Sequence, residues 1–416
     1  MAPVGSFECL MAAIQGGANS VYFGVENLNM RSHSANNFTL EDLKTITTIC
    51  NENNVRTYLT LNIVLYDNDL KDAYRTLDAA KAAGITAVIA SDMAAICYAQ
   101  KIGLEVHIST QLSISNTESV RFYAQFADVV VLARELNMHQ VKEIYQKIET
   151  ENICGPSGEK VQIEMFCHGA LCMAISGKCY LSLHEYNASA NRGSCFQLCR
   201  RGYSVTDLET GRSLEIDNKY IMSPKDLCTI EFIDKMVAAG VRVLKIEGRA
   251  RSAEYVKRVV SSYRKAADAV IEDIKEGTEN KHFTKELTNS LKDDLSTVFN
   301  RGFWDGYYQG ARLGEWSEVY GNKSTTIKTY VGKITNYFNN INVAEILVET
   351  KELNVGDNIM IIGPSTGVAE TKIEEIRVDL KPTNKSIKGE KCSILISDRL
   401  RRGDKVYIIT QVSKKL

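Results

Sequence analysis

The sequence predicts an α/β protein: a TIM-like (β/α)8 barrel with a long cysteine-bearing insertion, followed by a small C-terminal all-β barrel. Three observations lead there. Short β-branched runs alternate with stretches of helical length from residue 1 to about 270, which predicts a parallel sheet. About 70 residues separate the last two of these runs, far more than a βα unit needs. From about residue 326 the texture changes to short alternating strands between turn signals.

The elements follow in order. MAPVG reads as the C-terminal tip of a first strand. SVYFGV (20–25), RTYLTLN (56–62), AVIASD (87–92), EVHISTQ (105–111), DVVVLA (128–133), KVQIEMFCHG (160–169) and RVLKIEGR (242–249) read as seven more. Between them LEDLKTITTICNEN, LKDAYRTLDAAKAAG and LCTIEFIDKMVAAG carry apolar residues at helical spacing, and in the latter two a closing Gly marks the helix stop. Eight such strands would close a barrel, and an open doubly wound sheet is the competing arrangement. On this reading residues 1–277 form the barrel, with the insertion at 170–227. Residues 278–325 form a polar helical linker that ends through RGFWDGYYQG, and 326–416 form the β-barrel from YVGKITNYF, NVAEILVE, NIMIIGP, KCSILI and KVYIIT.

Charge is balanced, with 50 Lys and Arg against 51 Asp and Glu, so any polyanion would need a local patch. No apolar run approaches the roughly 20 residues that span a bilayer, and MAPVGSFECL lacks the basic and apolar regions of a secretion signal. The expectation is a cytoplasmic protein with no membrane partner. An odd count of 11 cysteines then argues against a disulfide framework and for metal or redox chemistry.

Five of those cysteines fall within CHGALCMAISGKCYLSLHEYNASANRGSCFQLC (167–199). Cys172, Cys179, Cys195 and Cys199 are spaced C-x6-C-x15-C-x3-C. Four thiolates complete a tetrahedral zinc site or hold the corners of an iron-sulfur cluster. Structural zinc favours paired C-x2-C knuckles, which only Cys195 and Cys199 approach; the wide, irregular spacing suits a loop-held cluster, with zinc as the alternative. Arg192, Arg200 and Arg201 flank the last two cysteines. They would ease the charge of thiolates, hold an anionic substrate or phosphate backbone, or simply be solvated loop charges.

His168 ends the seventh strand, at the end of a barrel where catalysis occurs, and is a candidate proton shuttle or a buried, satisfied core residue. Lys245, Glu247 and Arg249 alternate along the eighth strand and so share one face. Three charges on one face of a buried strand are costly unless they line a polar site or form an internal ion network. The reading makes them the active-site floor, Arg249 as anion anchor and Glu247 as its partner or a proton acceptor. Asn62 and Gln111 end the third and fifth strands and are candidates for substrate contact, whereas Tyr22 and Arg31 carry no assigned role. No H-E-x-x-H, G-x-S-x-G or P-loop pattern is present.

EMFCHGALCMAISGKCYLS, NRGSCFQLCRRGY, YIMSPKDL and LKIEGRARSAEYV together resemble the collagenase-like peptidase family, peptidase family 32 of unknown catalytic type. The pattern E-x-F-x2-G-A-L-C-x4-G-x-C-x-L-S is matched from Glu164 through Ser182, and the similarity runs along most of the chain. The resemblance implies a TIM-like barrel with a C-terminal β-barrel. It also implies chemistry: relatives hydroxylate tRNA wobble uridine, ribosomal RNA or a quinone precursor without oxygen. They carry a four-iron four-sulfur (4Fe-4S) cluster, prephenate is associated with the RNA branches, and some act as pairs of homologous subunits. Carried over, the cluster ligands fall on Cys172, Cys179, Cys195 and Cys199, leaving Cys167 and Cys228 as spectators.

Three function classes follow. The first is an iron-sulfur RNA hydroxylase that forms 5-hydroxyuridine in tRNA, the short form with a β-barrel tail. The second is a peptidase, as the family label says, which needs an activated nucleophile or metal-bound water beyond cysteines committed to a cluster. The third is a non-enzymatic RNA-binding protein with a structural metal, gripping RNA through RLRRGDKVY.

Overall fold

Eight short, β-rich runs pair side by side as one parallel sheet. They are β1 (Ala2–Pro3), β2 (Ser20–Phe23), β3 (Arg56–Leu61), β4 (Ala87–Ala90), β5 (Glu105–Ile108), β6 (Val129–Val131) and β7 (Gln162–Gly169), in that order, with β11 (Val241–Ile246) parallel to β7. The Met1 amine donates to Leu244 O at 2.8 Å and Ile246 N donates to Met1 O at 3.1 Å, linking the last parallel strand back to the start of the first. The structure is a computed structural model and describes residues 1–32, 37–211, 213–214, 220–310, 314–318 and 321–412.

Helices α1 (Phe7–Gln15), α2 (Asp42–Glu52), α3 (Leu70–Ala83), α4 (Met93–Lys101), α5 (Thr117–Tyr123) and α6 (Met138–Thr150) connect successive strands. Their ends obey local chemistry: Ser6 caps α1 by accepting from Cys9 N, Asn137 and Gln140 form a capping box on α6, and Gly84 closes α3 in the left-handed conformation. Leu43, Ile46, Leu77, Ile96, Val141 and Ile148 from these helices pack on Val21, Leu59, Val88 and Val130 of the strands in one core.

The insertion leaves β7 through α7 (Leu181–Tyr186) and a two-residue ladder of β8 (Val205–Thr206) with β9 (Ser213–Leu214). It returns as β10 (Asp226–Cys228), which runs antiparallel to the end of β7. After α8 (Ile233–Ala238) and β11 comes the long amphipathic α9 (Ala253–Glu276). The stretch expected to be a linker, 278–325, contributes α10 (Lys285–Ser296), whose Leu291 and Leu295 belong to the main core, and β12 (Phe303–Trp304), which pairs with β10. A polar helix with a narrow apolar stripe reads as solvated, but the stripe here is covered.

From β13 (Thr326–Phe338) onward the chain builds a separate antiparallel sheet. Its remaining strands are β14 (Val343–Val348), β16 (Asn358–Gly363), β17 (Gly367–Lys372), β18 (Ile376–Val378), β19 (Lys381–Thr383), β21 (Lys391–Leu395) and β22 (Lys405–Gln411). They are ordered β17-β16-β22-β13-β14-β21-β18-β19 around a second core of Val331, Ile346, Ile361 and Ile394, while β15 (Leu353–Asn354) pairs with β20 (Lys385–Ser386). This region docks on the first: Gln15 donates to Thr366 O and accepts from Val368 N at 2.9 and 3.0 Å, and Arg258 pairs with Glu370 at 3.0 Å.

Candidate functional site

The ends of β2, β3, β5, β7 and β11 and the start of the insertion surround one cavity that opens to solvent. Lys245, Glu247 and Arg249 line it together, as do Asn62, Gln111, Cys172, Cys179, Cys195 and Cys199. Tyr22, Arg31, Thr60, Arg134 and Phe166 complete much of the wall.

The floor is a buried ion pair. Lys245 Nζ lies 2.5 Å from Glu164 Oε1, with the carboxylate fully enclosed, and 4.9 Å from the centre of the Tyr22 ring. Burial works to raise the Glu164 pKa, but Lys245 and His107 outweigh it and hold the carboxyl at about 2. Among the described residues neither Glu164 Oε2 nor His107 Nδ1 has a hydrogen-bond partner, and they stand 3.8 Å apart, a charge contact rather than a hydrogen bond.

Glu247 pairs with Arg31 at 2.8 Å and not with Arg249. Burial opposes its ionisation, yet Arg31, Arg134 and Arg249 hold its pKa at about 2. A carboxylate held so low orients and accepts hydrogen bonds; as a proton acceptor near neutral pH it is weak. Arg249 is buried and fixed through Nη1, which donates to Asn29 Oδ1 and Thr60 Oγ1 at 2.9 Å each. Burial lowers its pKa to about 10, and it forms no ion pair with a carboxylate among the described residues. Gly24 makes this possible, because a Cβ there would stand 2.5 Å from Arg249 Nη1. Arg134 stacks on Phe166 at 3.7 Å and donates to Ala170 O at 3.2 Å, while its buried Nε has no partner among the described residues. Asn62 donates to Ser109 Oγ at 3.4 Å, and Gln111 accepts a short hydrogen bond from the same hydroxyl.

Cys172 is exposed and Cys179, Cys195 and Cys199 are half-buried, none of them disulfide-bonded. They share one cavity wall, and burial raises the Cys199 thiol pKa, with Arg200 opposing and the other three thiols adding to it. Gly177, at φ +74°, lets the insertion lie against Gln111, whose Cγ would be 2.7 Å from a Cβ there. Among the described residues no three His, Cys, Asp or Glu side chains converge closely enough to hold a single metal ion. Asn191, which donates to Cys179 O, keeps a buried Oδ1 without a partner among the described residues. With the Arg134 Nε it leaves the cavity wall asking for a polar occupant.

Three predicted residues stand elsewhere. The β7–β11 register jumps between Lys245↔Phe166 and Ile246↔His168, so a bulge at Cys167 turns His168 out of the cavity. There it meets Tyr263 OH at 3.3 Å and is boxed by Tyr255, Tyr263 and Phe303. Burial, aided by Arg251, pulls its pKa down to about 3, which suits a neutral structural residue rather than a proton shuttle. Its imidazole resonances are expected to stay flat from about pH 5 to 8; an NMR titration midpoint near the ordinary value of about 6.5 would contradict this.

Arg192 is committed to Asp69 at 2.6 and 3.2 Å, to Val64 O and to the face of Tyr66, so it pins the insertion to the loop after β3. Arg200 donates to Leu171 O, Pro224 O and Ser223 Oγ, stitching together the two ends of the insertion. Neither guanidinium lines the cavity. Conversely, Arg134 and Glu164 escaped the sequence reading, and Arg31, left there without a role, lines the cavity as the partner of Glu247. Glu164 offered a signal, a lone carboxylate in an otherwise apolar strand.

The family model for peptidase family U32 matches residues 5–318. The chain belongs to peptidase family U32. Within the family it is 57% identical over 407 residues to a collagenase of Porphyromonas gingivalis, covering 98% of this chain and 96% of that one. It is 33% identical over 371 residues to the tRNA hydroxylation protein P1 of Bacillus subtilis, covering 88% and 83%. A 23S rRNA 5-hydroxycytidine synthase of Escherichia coli is 34% identical over 304 residues, covering 73% and 44%. A solved U32 peptidase structure aligns at 12% identity with a TM-score of 0.30, covering 37% of this chain and 63% of that one. U32 members thus carry enzyme names of two kinds, and the cavity described above lies within the span that the family model matches.

Proposed function

We propose that the chain is a cytoplasmic, oxygen-independent RNA hydroxylase that forms 5-hydroxyuridine at the tRNA wobble position, using a 4Fe-4S cluster on Cys172, Cys179, Cys195 and Cys199. Its scaffold is a (β/α)8 barrel closed through Met1, with the C-terminal sheet as a small barrel beside it. The observation that carries this reading is that the four thiols share one cavity with Arg31, Arg134 and Arg249. The donor set suits the group. All four are soft thiols, and Glu247, the carboxylate that shares their cavity wall, is occupied by Arg31. A single zinc at about 2.3 Å from each sulfur would need the thiols to converge on one point, whereas a cluster spreads its ligands over a wider body. When bound, the cluster transfers electrons or activates the oxygen donor.

The chain's own residues do the rest. Arg249, fixed by Asn29 and Thr60, binds an anionic group of substrate or co-substrate, and prephenate, which bears carboxylates, is the co-substrate of that chemistry. Glu247, kept ionised, accepts hydrogen bonds from a base or ribose. Asn62 and Gln111 offer amides for a nucleobase edge. No described helix is long and apolar enough to cross a membrane.

The collagenase name of the 57% relative favours a second reading, a peptidase. The chemistry for it is weak. Cys228 and His168 are register partners at the β10–β7 ladder, yet burial pushes the thiol up to about 11 and the imidazole down to about 3. A nucleophilic pair needs the opposite shifts. The test is mass spectrometry of tRNA nucleosides from a strain lacking the gene. Loss of 5-hydroxyuridine and its derivatives, restored by the wild-type gene, is the expected result; unchanged tRNA together with gelatin cleavage by the rigorously purified protein would move the assignment to the peptidase.

A further inference from the structure

Three of the four cavity cysteines are followed directly by a large exposed side chain: Met173 after Cys172, Tyr180 after Cys179 and Phe196 after Cys195. Met173, Tyr180 and Phe196 are 45%, 68% and 53% exposed. Tyr186, the last residue of the short helix that Tyr180 caps, packs its ring 5.1 Å from that of Phe196. Arg201 donates to the Tyr186 hydroxyl at 2.9 Å and lies over its ring at 5.6 Å. Exposed aromatic groups on a loop that ends at a reactive cavity are expensive to leave in water and call for a partner.

Charge identifies the kind of partner. Residues 170–203 hold four Lys and Arg against one Glu. Two of these cations, Arg192 and Arg200, are used internally, and Lys178 and Arg201 are exposed without a carboxylate partner among the described residues. Flat rings, a guanidinium and spare positive charge are what single-stranded nucleic acid binds, its bases stacking on the rings and its phosphates meeting the cations. Ile175, Leu181 and Leu183 are exposed on the same segment, so a protein partner is the alternative that the test below separates.

Resting on the hydroxylase reading, we propose that Tyr180, Phe196 and the Tyr186–Arg201 pair form a stacking platform for the nucleobases that flank the modified uridine in a single-stranded loop. A base inside a duplex cannot reach a cavity floored by a buried ion pair, so the target base leaves its stack and its neighbours settle on the rim. The platform sets preference for loops over helices.

The test uses the anaerobically purified full-length protein and two labelled RNAs: a hairpin whose loop holds a uridine next to 2-aminopurine, and the same stem as a blunt duplex. Wild type is expected to prefer the hairpin and to change the 2-aminopurine fluorescence. Tyr180→Ala/Phe196→Ala should weaken hairpin binding roughly 30-fold, the low-end value for two stacking contacts, and abolish the fluorescence change. Duplex binding should move little, and Tyr180→Trp/Phe196→Tyr should restore the preference. Equal affinity of wild type for both RNAs, or an unchanged hairpin affinity in the alanine variant, overturns the platform. A shift in sedimentation of the alanine variant from a larger species to a monomer also overturns it, making the patch an interface with a second protein chain. None of these outcomes touches the hydroxylase reading itself, which stands or falls on the nucleosides of the deletion strain.

Discussion

Glu164→Gln is expected to destabilise the protein by about 3–5 kcal/mol, seen as a large drop in its denaturation midpoint, because it leaves the Lys245 ammonium buried without its counter-charge. Lys245 lines the cavity yet is only 4% exposed, its ammonium held among Glu164, Tyr22 and Phe166. Replacing both partners by apolar residues of similar volume, Glu164→Leu with Lys245→Met, should recover most of the loss, since the cost lies in the orphaned charge and not in the missing bond. A loss below about 1 kcal/mol in the single variant would mean that water reaches the pair. The pH dependence has a definite sign. Glu164 and Glu247 have folded pKa values of about 2, below the ordinary 4.5, so their stabilisation is complete above about pH 4.5 and is lost as pH falls toward 2. Glu164→Gln should therefore flatten the decline of stability across that window, compared with the wild type by denaturation at successive pH values.

The same pair shows what the sequence discloses and what it hides. Lys245, Glu247 and Arg249 were readable as one face because a strand repeats every two residues, and the structure brings all three to one cavity. Which charge meets which was not readable. Glu247 takes Arg31, 216 positions away, and Lys245 takes Glu164, 81 positions away; strand order alone brings these together. Arg192 misled for the same reason: beside cysteines it looks like a ligand-shell cation, but Asp69 claims it from 123 positions away. His168 was placed at the right strand end, but a one-residue bulge decides the face on which its ring lies, and no pattern of residue types announces a bulge. The alternation of strand and helix was legible throughout the first half because strands such as β4 (AVIA) and β6 (VVV) are short, fully buried apolar runs set between amphipathic helices. The polar α10 was harder, since only a narrow stripe of it is buried.

Alanine at any one of Cys172, Cys179, Cys195 or Cys199 is expected to strip the protein of iron and sulfide and to abolish hydroxylation, whereas Cys167→Ala should leave both intact. The two kinds of cysteine differ in what they touch. Cys172 is exposed and the other three are half-buried, and none belongs to the main core, so in metal-free protein their removal should change stability by less than about 1 kcal/mol. Cys167 is fully buried in that core and donates to Lys245 O at 3.3 Å, so its alanine variant should lose roughly 1 kcal/mol while keeping its colour. The crossed pattern, metal lost without stability in one set and stability lost without metal in the other, separates ligands from packing residues in a way that activity alone does not. Iron and acid-labile sulfide per chain, the visible spectrum under anaerobic conditions and the denaturation midpoint of the metal-free proteins are the measurements. One zinc per chain in place of iron, released by the same four substitutions, would replace the cluster by a structural ion; full iron retained in Cys172→Ala would remove that residue from the ligand set.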